Sequence, residues 1–398
     1  MDLKIFPGKL KGNISAIPSK SQAHRLLICA AFSDRRTMVQ CPETNQDIEA
    51  TVRCLNALGA EIVRRQDGYW VRPAAEIPES AEMDCGESGS TLRFMLPIVC
   101  ALGVKTTIRM SGRLPHRPLS PLWEELERMG CRLSRPAENT IQTEGKLKAG
   151  EYTVAGNISS QFITGLLLAL VLLPGESRIS ITGKLESAPY VIMTQKVLEV
   201  FGVETKDFLI HGSYPLRSPG SVTVEGDWSN AAFFLTAAAL GSGITVQNLN
   251  VDSAQGDRAI ANLLSNSSIH PVISAADIPD LIPILSVYFA AGDGAVFTDI
   301  ARLRLKESDR VASVIEMLGA LGIRAEADQS TLTVHGGQLS GGSVNAYADH
   351  RIAMATAIAA TVATGPVYLH GAECVAKSYP AFWQEFQRLG GHYEQYIR

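Results

Sequence analysis

Lysine and arginine recur along this chain beside small clusters of Ser, Thr and Asp. They are Lys20 and Arg25, Arg93, Arg117, the run Arg302-Leu303-Arg304-Leu305-Lys306-Glu307-Ser308-Asp309-Arg310, then Arg351 and Lys377. A guanidinium grips phosphate or carboxylate through a planar fork, and an ammonium adds a mobile point charge. With Ser159, Ser160 and Gln161, this set can hold two anionic small molecules side by side. Each residue also has an ordinary role. A basic residue in a first helical turn is commonly solvated, Ser or Asp at a helix start is commonly only a cap, and alternating charge such as Lys306 to Arg310 often marks an exposed helix start. Coincidence favours chemistry, because basic residues stand at caps in four of six repeats and Arg117 and Lys377 lie near the other repeat ends.

Those repeats are what must position the basic groups. Six polar clusters each precede an apolar run: Ser19-Lys20-Ser21, Ser88-Gly89-Ser90, Ser159-Ser160-Gln161, Asp227-Trp228-Ser229, Asp277-Ile278-Pro279-Asp280 and Asp349-His350-Arg351, most about 70 residues apart. Each predicts a helix N-terminus, where free N–H groups and partial positive charge favour anions. The apolar runs (Leu26 to Phe32, Leu92 to Leu102, Ile163 to Leu173, Ala231 to Leu240, Ile282 to Ala290, Ile352 to Val362) are apolar nearly all round, which predicts buried helices. Further along each repeat an amphipathic helix such as Ile48 to Leu58 or Leu122 to Met129 ends on glycine, at Gly59, Gly130, Gly202, Gly322 and Gly390, with a degenerate copy at Asn266. Strands rich in Val, Ile and Thr lie between, as at Lys105 to Met110, Arg178 to Thr182 and Gly243 to Asn248. The pattern predicts an α/β fold of two domains with three repeats each. Ser218-Pro219-Gly220-Ser221 is the expected hinge and Gly12-Asn13 a second crossing, giving domains of residues 13–218 and of 1–12 plus 219–398.

Composition narrows the function. A net charge of −4 argues against non-specific nucleic-acid binding. Seven cysteines without a C-x-x-C pair fit reduced thiols in a cytoplasm, and Cys29, Cys54 and Cys100 on apolar faces read as core. No signal peptide is expected in Met1 to Lys11, and Ile163 to Leu173 is too short to span a bilayer. Walker loops, G-x-G-x-x-G, H-E-x-x-H and G-x-S-x-G do not occur in the sequence.

The segments Pro18-Ser19-Lys20-Ser21-Gln22-Ala23-His24-Arg25, Gly86-Glu87-Ser88-Gly89-Ser90-Thr91-Leu92-Arg93, His116-Arg117-Pro118-Leu119, Lys306-Glu307-Ser308-Asp309-Arg310, Asp349-His350-Arg351 and Ala376-Lys377-Ser378-Tyr379-Pro380 resemble, in order and across almost the whole chain, the 5-enolpyruvylshikimate-3-phosphate synthase family. The resemblance implies an inside-out α/β barrel in two domains, each of three βαβαββ units with inward helices. It implies transfer of the enolpyruvyl group of phosphoenolpyruvate to the 5-hydroxyl of shikimate 3-phosphate, with loss of phosphate from a tetrahedral intermediate. It implies no cofactor or metal, and a cytoplasmic, monomeric enzyme of aromatic amino-acid biosynthesis. Carried over position by position, Ser21, Arg25, Ser159, Ser160, Gln161, Ser187, Asp280 and Lys306 would hold shikimate 3-phosphate. Lys20, Gly89, Arg117, Gln161, Arg310, Arg351 and Lys377 would hold phosphoenolpyruvate. Asp280 would take the hydroxyl proton and Glu307 or Lys20 would protonate the methylene carbon. Binding from both domains implies closure on the ligand. Glyphosate would compete with phosphoenolpyruvate, and a methyl at Gly89 would intrude on the bound ligand, weakening glyphosate more than substrate. Three positions depart from the family pattern: Glu87 and His24 each stand where Asn is usual, and Arg302 replaces another polar residue.

Two rivals remain. The related transferase acting on UDP-N-acetylglucosamine shares the fold, but many members carry a Cys in the loop matching Ser111 to Pro118, and this loop has none. A non-catalytic anion-binding scaffold has no use for carboxylates such as Asp280 and Glu307 beside its anion site.

Overall fold

The structure, a computed structural model, describes residues 1–212, 214–265 and 269–396. The expected repeat end at Asn266 lies outside the described residues. The chain folds into two compact units, Pro18–Glu225 and Met1–Ile17 with Gly226–Arg398.

The first unit holds helices α1 (Lys20–Ala31), α2 (Gln46–Ala57), α3 (Gly89–Leu102), α4 (Leu122–Arg128), α5 (Ser160–Leu170) and α6 (Ala188–Val200). Ser19, Ser88 and Ser159 cap α1, α3 and α5, each accepting a first-turn N–H. These three helices pack on one another, and each also packs on its own sheet, so helices form the interior and sheets the outside. Contact is closest between α3 and α5. Pro97 inside α3 has no N–H to offer the Arg93 carbonyl, and Gly165 of α5 sits against that carbonyl so closely that a Cβ would lie 2.2 Å from it.

The sheets repeat one rule. In the sheet Ser80–Asp84, Lys105–Arg109, Thr140–Gly145, Cys131–Ala137, the first pair is parallel across a helical crossover and the rest is an antiparallel hairpin. The same order runs through Ser221–Thr223, Thr37–Gln40, Gly68–Arg72, Glu61–Arg65, and a three-stranded version joins Glu151–Ala155, Glu176–Thr182 and Leu209–His211.

The second unit holds α7 (Trp228–Ala239), α8 (Ile260–Ser265), α9 (Ile282–Ala290), α10 (Arg310–Ala320), α11 (His350–Ala360) and α12 (Phe382–Arg388). Here α7, α9 and α11 form the buried trio, and every residue of α11 is buried. Its sheets are Val272–Ser274, Gly294–Thr298, Thr331–His335, Ala325–Ala327, then Gly342–Asn345, Val367–His370, Asp2–Phe6, His392–Gln395, and the pair Gly243–Gln247 with Lys11–Ser15. The amphipathic helices end as the glycines predict. Gly59, Gly130, Gly202, Gly322 and Gly390 all have φ between 81° and 115°, the left-handed region.

The boundaries differ from the expected 12/13 and 218/219, and strand pairing is the reason. Lys11–Ser15 pairs in parallel with Gly243–Gln247, which carries residues 13–17 into the second unit. Ser221–Thr223 pairs with Met38–Gln40, which keeps residues 219–225 in the first. The expected hinge is therefore tied down: Ser218 is buried, and its hydroxyl lies 2.7 Å from that of Thr37. Among the described residues, no helix is long and apolar enough to cross a membrane.

Candidate active site

In the first unit the N-terminal ends of α1, α2, α3 and α5 converge through side-chain contacts. Lys20 Nζ donates to Asp47 Oδ2 of α2 at 2.8 Å, a partner that nothing local in the sequence points to. Gln161 Nε2 donates to Ser90 Oγ at 2.9 Å, joining α5 to α3. Gly89 opens α3 against two cations: a Cβ there would lie 2.7 Å from Arg117 and 2.8 Å from Arg93 guanidinium nitrogens. Arg93 itself donates to the carbonyl oxygens of Gly89 and Pro118. Glu87 packs against Gly112 of the Arg117 loop.

Arg25 is the deepest cation of this group, with 2% of its surface exposed. It donates to the hydroxyls of Thr194 at 2.8 Å and Thr164 at 3.1 Å and to the carbonyls of Ser21 and Tyr190. All are neutral acceptors. Burial consequently pulls its pKa down to about 10, so an added anion would relieve an uncompensated charge. Ser160 and Ser187 are buried at the starts of α5 and α6, the helices that supply Thr164 and Tyr190 to Arg25. Ser187 holds a left-handed φ of 56°, a conformation that costs a non-glycine residue about 1 kcal/mol or more.

The second unit gathers its charges around the N-terminal ends of α9, α10 and α11. Asp280 was expected as part of a cap, but it does not cap α9. Leu281 takes that position, with Pro283 in the first turn and no side-chain cap bond. The Asp280 carboxylate instead accepts from Arg310 at 2.6 Å and from Arg351 at 2.9 Å, with Lys306 Nζ at 3.8 Å. Burial alone would raise its pKa, but Arg351, Lys306 and Arg310 outweigh it and hold the group well below the usual range.

Arg310 is the hub. It is 1% exposed, and its three nitrogens reach three carboxylates: Nε to Asp349 at 2.9 Å, one terminal nitrogen to Asp280, and the other to Glu307 at 2.7 Å. Asp349 also caps α11 through the Arg351 N–H and accepts from Ser308 Oγ. Arg310, Arg351 and Lys306 thus face Asp280, Glu307 and Asp349, cation matched to anion. Burial lowers Lys306 to about 8 against the pull of Asp280. Lys377 is buried at the end of the turn Ala372–Lys377, which packs on α11.

One further carboxyl escapes sequence reasoning. Asp257, fully buried, accepts from Ser229 Oγ, while its Oδ1 has no partner. Burial first, then the nearby Asp280, push its pKa up to about 7. An acid whose folded pKa is raised binds its proton in the folded state between about pH 4 and 7, so it subtracts stability as pH rises through that window. Asp257→Asn should therefore lose less stability than the parent between pH 5 and 8, read from denaturant midpoints. Parallel losses in the two proteins would mean Asp257 does not titrate over that interval in the folded protein, against the raised pKa.

Comparison with known proteins follows the same line. A family model for EPSP synthase (3-phosphoshikimate 1-carboxyvinyltransferase) matches residues 6–386. The 3-phosphoshikimate 1-carboxyvinyltransferase of Clostridium beijerinckii is 38% identical over 99% of both chains. That of Clostridium acetobutylicum is 39% identical over 98% of this chain and 97% of its own. A solved structure of EPSP synthase from Acinetobacter baumannii matches with a TM-score of 0.81 at 23% identity, covering 99% of this chain and all of that one. The enolpyruvyl transferase NikO from Streptomyces tendae matches at 0.76 and 18%, covering 99% and 98%. The fold is that of the enolpyruvyl transferases. The chain belongs to the EPSP synthase family, enzymes of the shikimate pathway that transfer the enolpyruvyl group of phosphoenolpyruvate to shikimate 3-phosphate.

Proposed function

We propose that both charge clusters contribute to holding each substrate of this reaction. Arg25, Ser21, Ser159, Ser160, Gln161, Ser187 and Lys306 hold shikimate 3-phosphate. Lys20, Gly89, Arg117, Gln161, Arg310, Arg351 and Lys377 hold phosphoenolpyruvate. Asp280 is the base, and Glu307 or Lys20 delivers the proton to the methylene carbon. The observation that carries this reading is Asp280 bridging Arg310 and Arg351. A carboxylate gripped by two guanidiniums is a poor base. A substrate carboxylate or phosphate arriving at the same guanidiniums takes them over, and Asp280, still largely buried, then rises in pKa toward a useful base. Binding would in this way switch on the group that deprotonates the 5-hydroxyl. The alkoxide attacks the carbon of phosphoenolpyruvate that bears phosphate while its methylene gains a proton, and loss of that proton with phosphate restores the vinyl group. The enzyme works as a monomer in the cytoplasm, where its seven unpaired cysteines stay reduced.

The same reading makes glyphosate an inhibitor competitive with phosphoenolpyruvate. The position of Gly89 changes what its substitution should do. A methyl there would lie 2.7 and 2.8 Å from Arg117 and Arg93 guanidinium nitrogens, so Gly89→Ala moves the cations themselves. Glyphosate should weaken more than phosphoenolpyruvate, but the KM of phosphoenolpyruvate should rise with it. Inhibition measured at several phosphoenolpyruvate concentrations checks both statements. Non-competitive inhibition, or an unchanged KM in the variant, would contradict this placement of Gly89.

A further inference from the structure

A line of buried hydroxyls runs from His24 on α1 to the first turn of α3. His24 Nδ1 lies 2.7 Å from Thr51 Oγ1 on α2, and Thr51 Oγ1 lies 2.7 Å from Thr91 Oγ1 on α3. Thr91 Oγ1 then donates to Ser88 Oγ at 2.8 Å and to the backbone carbonyl of Asp47 at 3.3 Å. His24, Thr51 and Thr91 are each fully buried.

Counting protons sets the direction. A carbonyl only accepts, so the single hydroxyl proton of Thr91 is committed outward, to Asp47 and Ser88. Thr91 must then accept from Thr51, and Thr51, its own proton used, must accept from His24. Nδ1 of His24 therefore carries a hydrogen. Its other nitrogen, Nε2, is buried without a partner, beside the edge-on ring of Phe94 at 6.2 Å, and can stay bare only if the ring is neutral. Burial lowers the pKa of His24 to about 3; of the charged groups that act on it, Asp47 opposes that shift, while Lys20 and Arg25 add to it.

We propose that His24, as the Nδ1–H tautomer, is a positioning residue that heads a one-way relay clamping the N-terminal turns of α1, α2 and α3 together. Its output is the placement of two groups. Asp47, whose carbonyl receives the relay's last proton, holds Lys20 at 2.8 Å through its carboxylate. Ser88, which shares that proton, caps α3 one residue before Gly89. No link can be cut quietly: removing one hydroxyl strands a buried donor on one side and a buried acceptor on the other.

The kinetic consequence rests on the reading that Lys20 and Gly89 take phosphoenolpyruvate, so the test has one arm independent of activity. Nitrogen-15 imidazole spectra of the whole protein, with His24 assigned by its loss in His24→Asn, should show Nδ1 protonated, Nε2 bare, and no titration between pH 8 and 5. Protonated Nε2, or titration near the ordinary histidine value, would overturn the relay whatever the substrate. In the second arm, Thr51→Val and His24→Leu should each raise the KM of phosphoenolpyruvate about tenfold with a smaller change in kcat. His24→Asn, whose amide can donate where Nδ1 did, should stay within about threefold of the parent. A merely structural role would lower the active fraction, and so apparent kcat, while leaving KM unmoved; that pattern would overturn the positioning role. If the parent failed to turn over the two substrates, the assigned reaction would fall, and the spectra would still decide the tautomer.

Discussion

Asp280→Asn should lower kcat by about 10²-fold or more, while the KM of each substrate changes far less. The side chain keeps its shape and one acceptor oxygen, so one of the Arg310 and Arg351 contacts at 2.6 and 2.9 Å persists in weaker form and the other is lost, without a cavity forming. What disappears is the only atom set proposed to accept the hydroxyl proton. Three cations lose a counter-ion at the same time, which favours anionic substrates and pushes KM down, opposite to the effect expected of a lost binding contact. A fall in kcat with flat or lower KM is thus the signature. Glu307→Gln should behave similarly in kcat. Steady-state rates with each substrate varied decide it, and near-normal turnover of either variant would remove that residue from the proton-transfer scheme.

Arg310→Met should cost about 3–5 kcal/mol of stability, the range for removing one partner from a buried ionic network. A guanidinium 1% exposed and shared by Asp280, Glu307 and Asp349 leaves three carboxylates behind when it goes, and Asp349 is wholly buried. The pH dependence identifies the cause. In the parent, burial acts to raise Asp349 but Arg310 outweighs it and holds its pKa below the usual value, so its contribution is present above about pH 4 and lost only below that. In the variant burial and the neighbouring Glu307 charge act on Asp349 without Arg310 to offset them, the carboxyls that lost it take up protons at higher pH, and protonation removes the uncompensated charge. The deficit measured by urea unfolding should therefore shrink between pH 7 and 5. A deficit that grows over that interval would mean the three carboxylates do not depend on Arg310.

Local rules were legible from the residues alone. Ser19, Ser88, Ser159, Asp227 and Asp349 all cap helices, because capping is decided within one turn. Gly59 and its counterparts end helices for an equally local reason, the backbone angle that only glycine adopts easily. Asp280 broke the pattern because Leu281 and Pro283 start α9 without it, which left its carboxylate for Arg310 and Arg351. Such a departure from local preference is itself a signal of function. The unit boundaries were not legible, since the pairing of Lys11–Ser15 with Gly243–Gln247 is between strands far apart in sequence and shows in neither segment. The same holds for Asp47 as the partner of Lys20, for Asp257, and for the Thr51 and Thr91 hydroxyls behind His24. Each reads as an ordinary helix residue until packing brings its partner into reach.

The account stands or falls on one assay: phosphate release by the purified chain supplied with phosphoenolpyruvate and either shikimate 3-phosphate or UDP-N-acetylglucosamine. Release that depends on shikimate 3-phosphate, with one phosphate formed per enolpyruvyl product and none above background with the UDP-sugar, is the predicted result. Release with the UDP-sugar instead, or none with either acceptor, would contradict it.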